Sequence, residues 1–419
     1  MPRSAPVLLL ALLLLGCQGD RTSGPLTQEA YVWQRSWSPE VRHAVGRASD
    51  LDGLIVLAAE VDLSRQPAHV VHIPYDADSL AGRRVGLAVR IGAFSRGGGR
   101  FRAEPGEIAF FAGLARELVD EARGRGLSPS ELQLDYDCPE SRLREYPALI
   151  RAVRAAVAPV PVVVTVLPAW LQHETAFSGV IQAANGYVLQ VHSLKPPTDP
   201  REPVVLCDSV AATRWVEAAA RFRRPFRVAL PTYGYKVAFD ARGTLLGLAA
   251  EGPGLAWPPG TVLREAKSDP GIVATLVDVW TRERPRELSG LVWYRLPVPG
   301  DRMNWPWPAF QAVRAGQAPR RELQIDQSSP EPGLVEVQLR GAGEAEVVGP
   351  GRLRVRWTGD AFLASDGVGG YRVRRAGQSE IALERIAHSA PLRPGDRRTI
   401  AWLRFSIPTE IQIEPTTPP

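Results

Sequence analysis

Eight short apolar runs of strand type alternate with amphipathic helical stretches between residues 30 and 297, and this repeat constrains the fold more than any other feature of the sequence. The runs are 30–37, 52–61, 83–92, 132–137, 160–170, 186–194, 226–235 and 288–297. Strands alternating with helices in this way predict an α/β fold, a (β/α)8 barrel of the TIM type. A doubly wound open sheet is the alternative, but no glycine-rich dinucleotide loop follows the first strand.

The character of the sequence changes after Gly316. Residues 317–333 are polar and contain proline, which predicts a linker between the barrel, residues 29–316, and a second domain. Residues 334–414 form short alternating runs divided by glycine and proline turns, which predict a small β-sandwich. Since this region does not concentrate catalytic residue types, we expect a packing or docking module.

The first residues indicate export. Arg3 precedes the apolar run 7–15, which is too short to span a bilayer as a stable helix. The tetrad Leu14-Leu15-Gly16-Cys17 resembles the lipobox of bacterial lipoproteins. This resemblance implies a signal peptide over 1–16, lipidation of Cys17 and a polar tether over 17–28, and so a membrane-anchored protein of the bacterial cell envelope, on the periplasmic face or the outer membrane. An ordinary secretory signal is the alternative.

Charge argues against a nucleic-acid partner. The formal net charge is +5, from 50 basic and 45 acidic residues. Almost all the basic residues are arginine, scattered with acids between them rather than clustered as a phosphate-binding surface requires. Apart from Cys17, the chain has only Cys138 and Cys207, and whether these two form a disulfide is left open.

The segment 132–137 places polar residues where a buried strand usually carries valine or leucine. Alternation puts Gln133, Asp135 and Asp137 on one face, and helices cover the outside of a barrel, so we expect this face to point into the lumen. Two carboxylates about 6.6–6.8 Å apart along a strand cannot both ionise cheaply in a low-dielectric lumen. Either an arginine neutralises them or one holds its proton, which is what a general acid needs.

A structural interpretation competes for Asp137. Asp137-Cys138-Pro139-Glu140 fits a capping box, with Asp137 as the N-cap and Glu140 returning to it. The capping box leaves Asp135 and Gln133, deeper in the strand, unexplained.

Other polar and aromatic residues fall near the carboxyl ends of the predicted strands, where barrel enzymes build their sites. They are Trp33, Arg35, Glu60, Arg90, Gln190, His192, Tyr233, Tyr235, Trp293 and Arg295. Aromatic rings stack on the CH-rich faces of sugars while acids, amides and arginine bind the hydroxyls, so the set predicts substrate-binding residues for a glycan. His69 and His72 lack a nearby cysteine or a second matching pair, so we predict no metal site and no cofactor.

The segments 132–140, 162–170, 187–193, 229–235 and 289–297 resemble, in order, strands four to eight of the chitinase-like glycoside hydrolases (family eighteen). More closely, residues 28–310 resemble an uncharacterised bacterial lipoprotein family, domain of unknown function 3142. The first resemblance implies that Asp135 and Asp137 match the last two aspartates of a D-x-x-D-x-D-x-E motif. It also matches Tyr233 to the strand-seven tyrosine and Trp293 to the strand-eight tryptophan.

Two departures from that family fall on the groups that perform substrate-assisted hydrolysis. The motif's proton-donating glutamate would stand at position 139, which is Pro139, and Glu140 comes one residue late. His192 stands where the family has a tyrosine that holds the substrate's acetamido group.

The sequence therefore predicts a lipid-anchored envelope protein whose barrel binds a glycan and possesses candidate catalytic groups for its hydrolysis. In this hypothesis Asp137 is the general acid, Asp135 is its partner, and Glu140 or His192 gives support. The alternative is a catalytically inactive glycan-binding or scaffolding lipoprotein, which the missing glutamate favours.

Overall fold

The computed structural model describes residues 20–416 apart from 65–66, 93–100, 102, 193–196, 198, 250–256 and 387–388. The chain forms two compact units, one ending at Asn304 and one beginning at Trp305. The predicted signal peptide and Cys17 lie outside the described residues. Within the described ranges, no helix has the length and apolar character needed to cross a membrane.

Eight parallel strands close into a barrel in the first unit. They are β1 (Thr27–Val32), β2 (Gly53–Asp62), β3 (Val85–Gly92), β4 (Glu131–Tyr136), β5 (Val162–Val166), β6 (Gly186–Gln190), β7 (Phe226–Pro231) and β8 (Leu288–Tyr294). Each strand pairs in parallel with the next one in the chain, and β8 pairs with β1. The predicted barrel is confirmed.

Helices connect the barrel strands. They are α1 (Pro39–Arg47), α2 (Ala77–Leu80), α3 (Pro105–Gly124), α4 (Tyr146–Val157), α5 (Glu174–Ala183), α6 (Ser209–Ala220) and α7 (Pro270–Arg282). Proline stands in the first turn of α1, α3, α4 and α7, where its missing N–H leaves no helical hydrogen bond unmade. Asp208 and Asp269 cap α6 and α7 by accepting hydrogen bonds from backbone N–H groups.

Shorter elements surround the barrel. The 3-10 helices Glu140–Arg142 and Pro168–Gln172 follow β4 and β5. Between β7 and α7, the strands Gly234–Phe239, Leu245–Ala249 and Val262–Lys267 form an antiparallel sheet, so the predicted run 226–235 is divided between two sheets. The strand His69–His72 pairs antiparallel with the end of β2. Arg21–Thr22 pairs with Arg284–Pro285, which places part of the predicted tether against the barrel unit.

Apolar side chains fill the middle of the barrel. The core cluster there takes Tyr31, Ile55, Ala88, Val163, Val188, Ala229 and Val292 from every strand except β4. Residues from seven strands of a closed barrel meet only in its lumen. β4 contributes Gln133 instead, which is fully buried.

Below this layer, a buried ionic cluster forms the floor of the lumen. Arg227 Nη2 donates hydrogen bonds to Glu131 Oε1 and Oε2 at 2.7 and 2.9 Å, and Nη1 donates to Glu29. Gln133 Nε2 donates to Glu131 Oε1 at 2.5 Å, and Tyr31 Oη donates to Gln133 Oε1 at 2.7 Å. Gln133 thus has polar partners on both sides, which explains an amide inside an apolar strand without a ligand.

The second unit begins with α8 (Trp307–Arg314) and continues as two antiparallel four-stranded sheets. Sheet one has the order β9 (Leu323–Glu331), β10 (Leu334–Gly341), β15 (Arg397–Phe405), β12 (Phe362–Gly367). Sheet two has the order β13 (Tyr371–Gly377), β14 (Glu380–Arg385), β11 (Arg352–Trp357), β16 (Ile411–Pro415). One core cluster joins Val337 and Leu403 of sheet one to Val355 and Leu383 of sheet two, as expected of a sandwich.

The segment predicted as a linker is structured. β9 lies inside residues 317–333 and pairs with β10 along most of its length. Its inner residues Leu323 and Ile325 pack only partly against the core, and polar residues alternate with them. An edge strand of this kind has one solvated side, so its composition resembles that of a linker.

Candidate functional site

Asp135 lies at the carboxyl end of β4 and points into the lumen, the position that alternation predicts. It stands beside Arg90 of β3 in the strand register, and Arg90 stands beside Glu60 of β2. The Thr165 hydroxyl of β5 donates a hydrogen bond to Asp135 Oδ1 at 2.8 Å. Asp137 follows the last residue of β4 and is exposed to solvent although protein groups surround it, as expected of a side chain in a concave opening.

Side chains of alternating charge lie side by side at the carboxyl ends of β1 to β4, and we call Arg35, Glu60, Arg90 and Asp135 the belt. Arg35 Nε and Nη2 donate to Glu60 Oε2 and Oε1, both at 2.8 Å, and Arg90 Nη1 donates to Glu60 Oε1 at 3.5 Å. The Glu60 side chain is only 9% exposed, whereas that of Arg35 is 46% exposed. The belt therefore buries its carboxylate and presents guanidinium groups at the mouth.

The two aspartates are electrostatically coupled. Burial, and then the neighbouring Asp137 carboxylate, raise the pKa of Asp135 to about 6, against the opposing charge of Arg90. Burial in the mouth also raises the pKa of Asp137, while Arg90 and a hydrogen bond with Gln190 act in the opposite direction. Two neighbouring acids cannot both ionise as readily as one alone. The pair thus holds one proton at a pH where an ordinary aspartate is ionised.

Aromatic rings fill the lumen next to the acid pair, with Tyr294 at their centre. The Tyr294 ring centroid lies 5.3 Å from Trp33, 5.7 Å from Tyr31 and 5.2 Å from Tyr233, and the His192 ring stacks on it at 5.5 Å. Trp33 is buried, and among the described residues its Nε1 has no hydrogen-bond partner. The Trp33 N–H is therefore an unsatisfied donor enclosed in the lumen.

His192 is a neutral member of this cluster. Its Nδ1 lies 3.2 Å from the Ala229 carbonyl oxygen and donates to it, because a carbonyl can only accept. Burial lowers the pKa of His192 to about 4. The neutral ring therefore keeps Nε2 as an acceptor at neutral pH.

On the β7 and β8 side, Tyr233 and Tyr235 bring their hydroxyl oxygens within 2.9 Å of each other. Arg295 is buried, and its Nη2 donates to Asp301 Oδ2 at 2.6 Å. Its charge lowers the pKa of Tyr233, although burial raises that pKa overall.

Glu140 lies on the 3-10 helix Glu140–Arg142, where its side chain is 45% exposed. Its Oε2 accepts a hydrogen bond from Gln172 Nε2 at 3.0 Å and lies 2.5 Å from His173 Nε2. These contacts lower the pKa of Glu140. The predicted capping box is absent among the described residues here: the 3-10 helix has Pro139 as its N-cap, with no side-chain hydrogen bond to the cap.

Trp293 does not join the lumen set, which corrects the sequence interpretation. It alternates with Val292 and Tyr294, both packed in the lumen cluster, and its Nε1 donates to Gln28 Oε1 at 3.1 Å. Residues 291–293 are all apolar, so composition gives no sign of which face points inward. The lumen aromatic of β8 is Tyr294.

Tyr31, Thr165 and Tyr294 are site residues that the sequence interpretation missed. Each occupies a lumen position of its strand, and the register of the barrel brings them next to residues on other strands. Cys138 and Cys207 are both buried and free. Among the described residues, no group of three or more histidine, cysteine, aspartate or glutamate side chains is placed to hold a metal ion.

Residues 108–299 match the model of the family described as Domain of unknown function (DUF3142). This match spans strands β4 to β8 of the barrel. Residues 324–406 match a second model, Domain of unknown function (DUF8456), which covers most of the sandwich. A search of curated protein sequences gave no match.

The barrel is similar to several solved structures. The spore cortex-lytic enzyme SleL of Bacillus cereus is 10% identical with a TM-score of 0.51, over 71% of this chain and 75% of that one. SleL of Bacillus megaterium is 12% identical with a TM-score of 0.49, over 71% and 75%. A chitinase from Chromobacterium violaceum is 16% identical with a TM-score of 0.45, over 70% and 98%. At these identities the likeness concerns the fold.

Proposed function

We propose that the barrel mouth binds a glycan and hydrolyses its glycosidic bond with the Asp135–Asp137 pair. The observation that carries this proposal is the coupled acid pair, which holds a proton beside an aromatic cluster at the carboxyl end of a closed barrel. The fold shared with a spore cortex-lytic enzyme supports a lytic role for this barrel.

Each group at the mouth has a role in this proposal. Asp137 is accessible and donates a proton to the leaving oxygen as the glycosidic bond breaks; water then adds to the anomeric carbon and returns a proton to Asp137. Asp135 lies beneath it and is held in place by Thr165. The charge of Arg90 limits the rise in the pKa values of Asp135 and Asp137, so the pair can still lose its proton during the reaction. Gln190 orients the Asp137 carboxyl group. Tyr235 and Tyr294, whose side chains are partly exposed, offer ring surface to the CH faces of the sugar.

Asp137→Asn tests the catalytic role because it keeps the shape and removes the transferable proton. We expect the release of reducing ends from peptidoglycan or chitooligosaccharides to fall by about 10²- to 10⁴-fold, with binding retained. Asp120→Asn on the exposed surface of α3 is the matched control and should leave turnover unchanged. Unchanged turnover in Asp137→Asn would remove this residue from the role of general acid.

A second candidate function is glycan binding without hydrolysis. It is favoured by Pro139 at the motif's glutamate position and by the engagement of Glu140 with His173 and Gln172. This function predicts binding to the same glycans with no reducing ends released by the wild type. Released ends that disappear in Asp137→Asn would reject it.

We propose that the protein acts in the bacterial cell envelope and that lipid attached to Cys17 anchors it to a membrane. The lipobox-like tetrad before residue 18 supports this location. We expect Cys17→Ala to move the full-length protein from the detergent phase to the aqueous phase in a phase-partition assay. Equal partition of the variant and the wild type would contradict lipidation.

A further inference from the structure

The outer face of sheet one carries an indole among polar side chains. Trp402 of β15 alternates with Ala401 and Leu403, which are buried in the sandwich core, so its ring lies on the opposite, outer side. The residue is half-buried, and among the described residues its ring enters no aromatic pair. Large indoles on a solvated sheet face are suited to stacking against a ligand.

The strand register places Trp402 in a row that crosses all four strands of sheet one. Its antiparallel neighbours are Glu336 of β10 on one side and Asp366 of β12 on the other, and Ser328 of β9 lies beyond Glu336. We call these four residues the indole row. Three strand spacings make the row about 14 Å wide. Directly opposed side chains lie about 4.5–5.5 Å apart at Cβ, so both carboxyl groups border the ring.

The carboxylates of the indole row have little cationic compensation. Glu336 Oε2 accepts from the neutral Gln338 amide at 3.1 Å, and Asp366 Oδ1 accepts from the Gly367 backbone N–H at 2.7 Å. Two arginines of this face have their own acids: Arg340 pairs with Asp326 at 3.0 Å and Arg404 with Glu331 at 3.1 Å. A third, Arg397, lies opposite Arg340, four residues along β10 from Glu336. Two acids therefore remain beyond these ion pairs, so the row is anionic around an aromatic face.

We propose that the indole row binds a glycan whose sugars carry free amino groups. The CH face of such a sugar stacks on Trp402, and its ammonium group is attracted both by the ring and by the carboxylates of Glu336 and Asp366. The charge of the row disfavours a polyanion. A fully N-acetylated chain would retain the stacking and lose the ionic attraction. This site lies in the sandwich and does not depend on the chemistry proposed for the barrel mouth.

The test is calorimetric titration of the full-length chain with a glucosamine hexamer and with the N-acetylglucosamine hexamer of equal length. We expect the glucosamine hexamer to bind about tenfold more tightly at low salt, and raised ionic strength to weaken its binding. Trp402→Ala should weaken binding of the glucosamine hexamer about tenfold, and Trp402→Tyr should retain most of it. The double variant Glu336→Gln, Asp366→Asn should remove the preference for the amino sugar.

Two controls separate this site from the barrel mouth and from misfolding. Glu380→Gln alters a carboxylate of sheet two, in the other sheet of the same sandwich, and should bind as the wild type does. Asp137→Asn alters the barrel mouth and should leave binding at the indole row unchanged. Because Trp402→Ala leaves the barrel mouth unchanged, the binding that this variant loses reports the indole row alone. An equal loss for the two hexamers, or no loss in a folded Trp402→Ala, would overturn the inference whatever the barrel binds. A row that captures only a protein partner and neither hexamer would overturn it as well.

Discussion

Arg227→Gln should destabilise the barrel by breaking the ionic cluster at the floor of its lumen. The Arg227 side chain is 13% exposed, and the Glu29 and Glu131 side chains are each 6% exposed. Glutamine removes the positive charge and leaves two buried carboxylates close to each other, since burial and then the charge of Glu131 already raise the pKa of Glu29. Removing one partner from a buried ion pair typically costs about 3–5 kcal/mol, and we expect a loss in this range at pH 8.

The loss of stability in Arg227→Gln should be larger at high pH than at low pH. Burial already raises the pKa of Glu29, and without the opposing charge of Arg227 this pKa rises further above the unfolded value of about 4.3, so the folded variant binds a proton that the unfolded chain does not. The stability of the variant is therefore lowest well above the raised pKa of Glu29 and recovers as the pH falls through it. We expect the deficit relative to the wild type to shrink between pH 8 and pH 5.

Urea unfolding at both pH values measures this effect. The chain has two compact units, so the barrel transition should shift and a separate sandwich transition should not. Arg84→Gln is the matched control, because Arg84 also contacts Glu29, at 3.4 Å, but is 57% exposed and should contribute less than about 1 kcal/mol. A barrel transition for Arg227→Gln within 1 kcal/mol of the wild type, or a deficit that does not change with pH, would refute the reasoning.

Two further predictions concern the mouth. Hydrolysis needs the proton on the acid pair, so turnover should fall as the pH rises through about 6. Asp135→Asn removes the charge beside Asp137 and should therefore lower the apparent pKa of a pH–rate profile. A profile unaltered by Asp135→Asn would exclude the coupling. Glu140→Gln should change turnover by less than threefold, because Glu140 is exposed and bonded to His173; a loss of 100-fold in the same assay would place Glu140 in catalysis instead.

The strand sequences specify much of the site. Asp135 can be recognised as a site residue from the sequence, because a carboxylate in an otherwise apolar strand is stable only where it points toward the polar end of the lumen. Glu60 and Arg90 on the neighbouring strands can be recognised for the same reason. The sequence does not tell which of Trp293 and Tyr294 points into the lumen, because consecutive apolar residues show no alternation between polar and apolar side chains. The sequence also did not predict β9 as a strand, because this edge strand has one solvated side and its composition resembles that of a linker.

Local pattern by itself determined the eightfold strand and helix repeat, the sandwich that follows, and the face on which the paired aspartates lie. These properties depend on residues within a few positions of each other, where backbone geometry fixes the period. Only the tertiary structure decided that Glu140 meets His173, that Tyr294 stacks on His192, and that Arg227 joins Glu29 to Glu131. Such contacts depend on strand register and barrel closure, which bring together side chains far apart in the chain, and no local period encodes them.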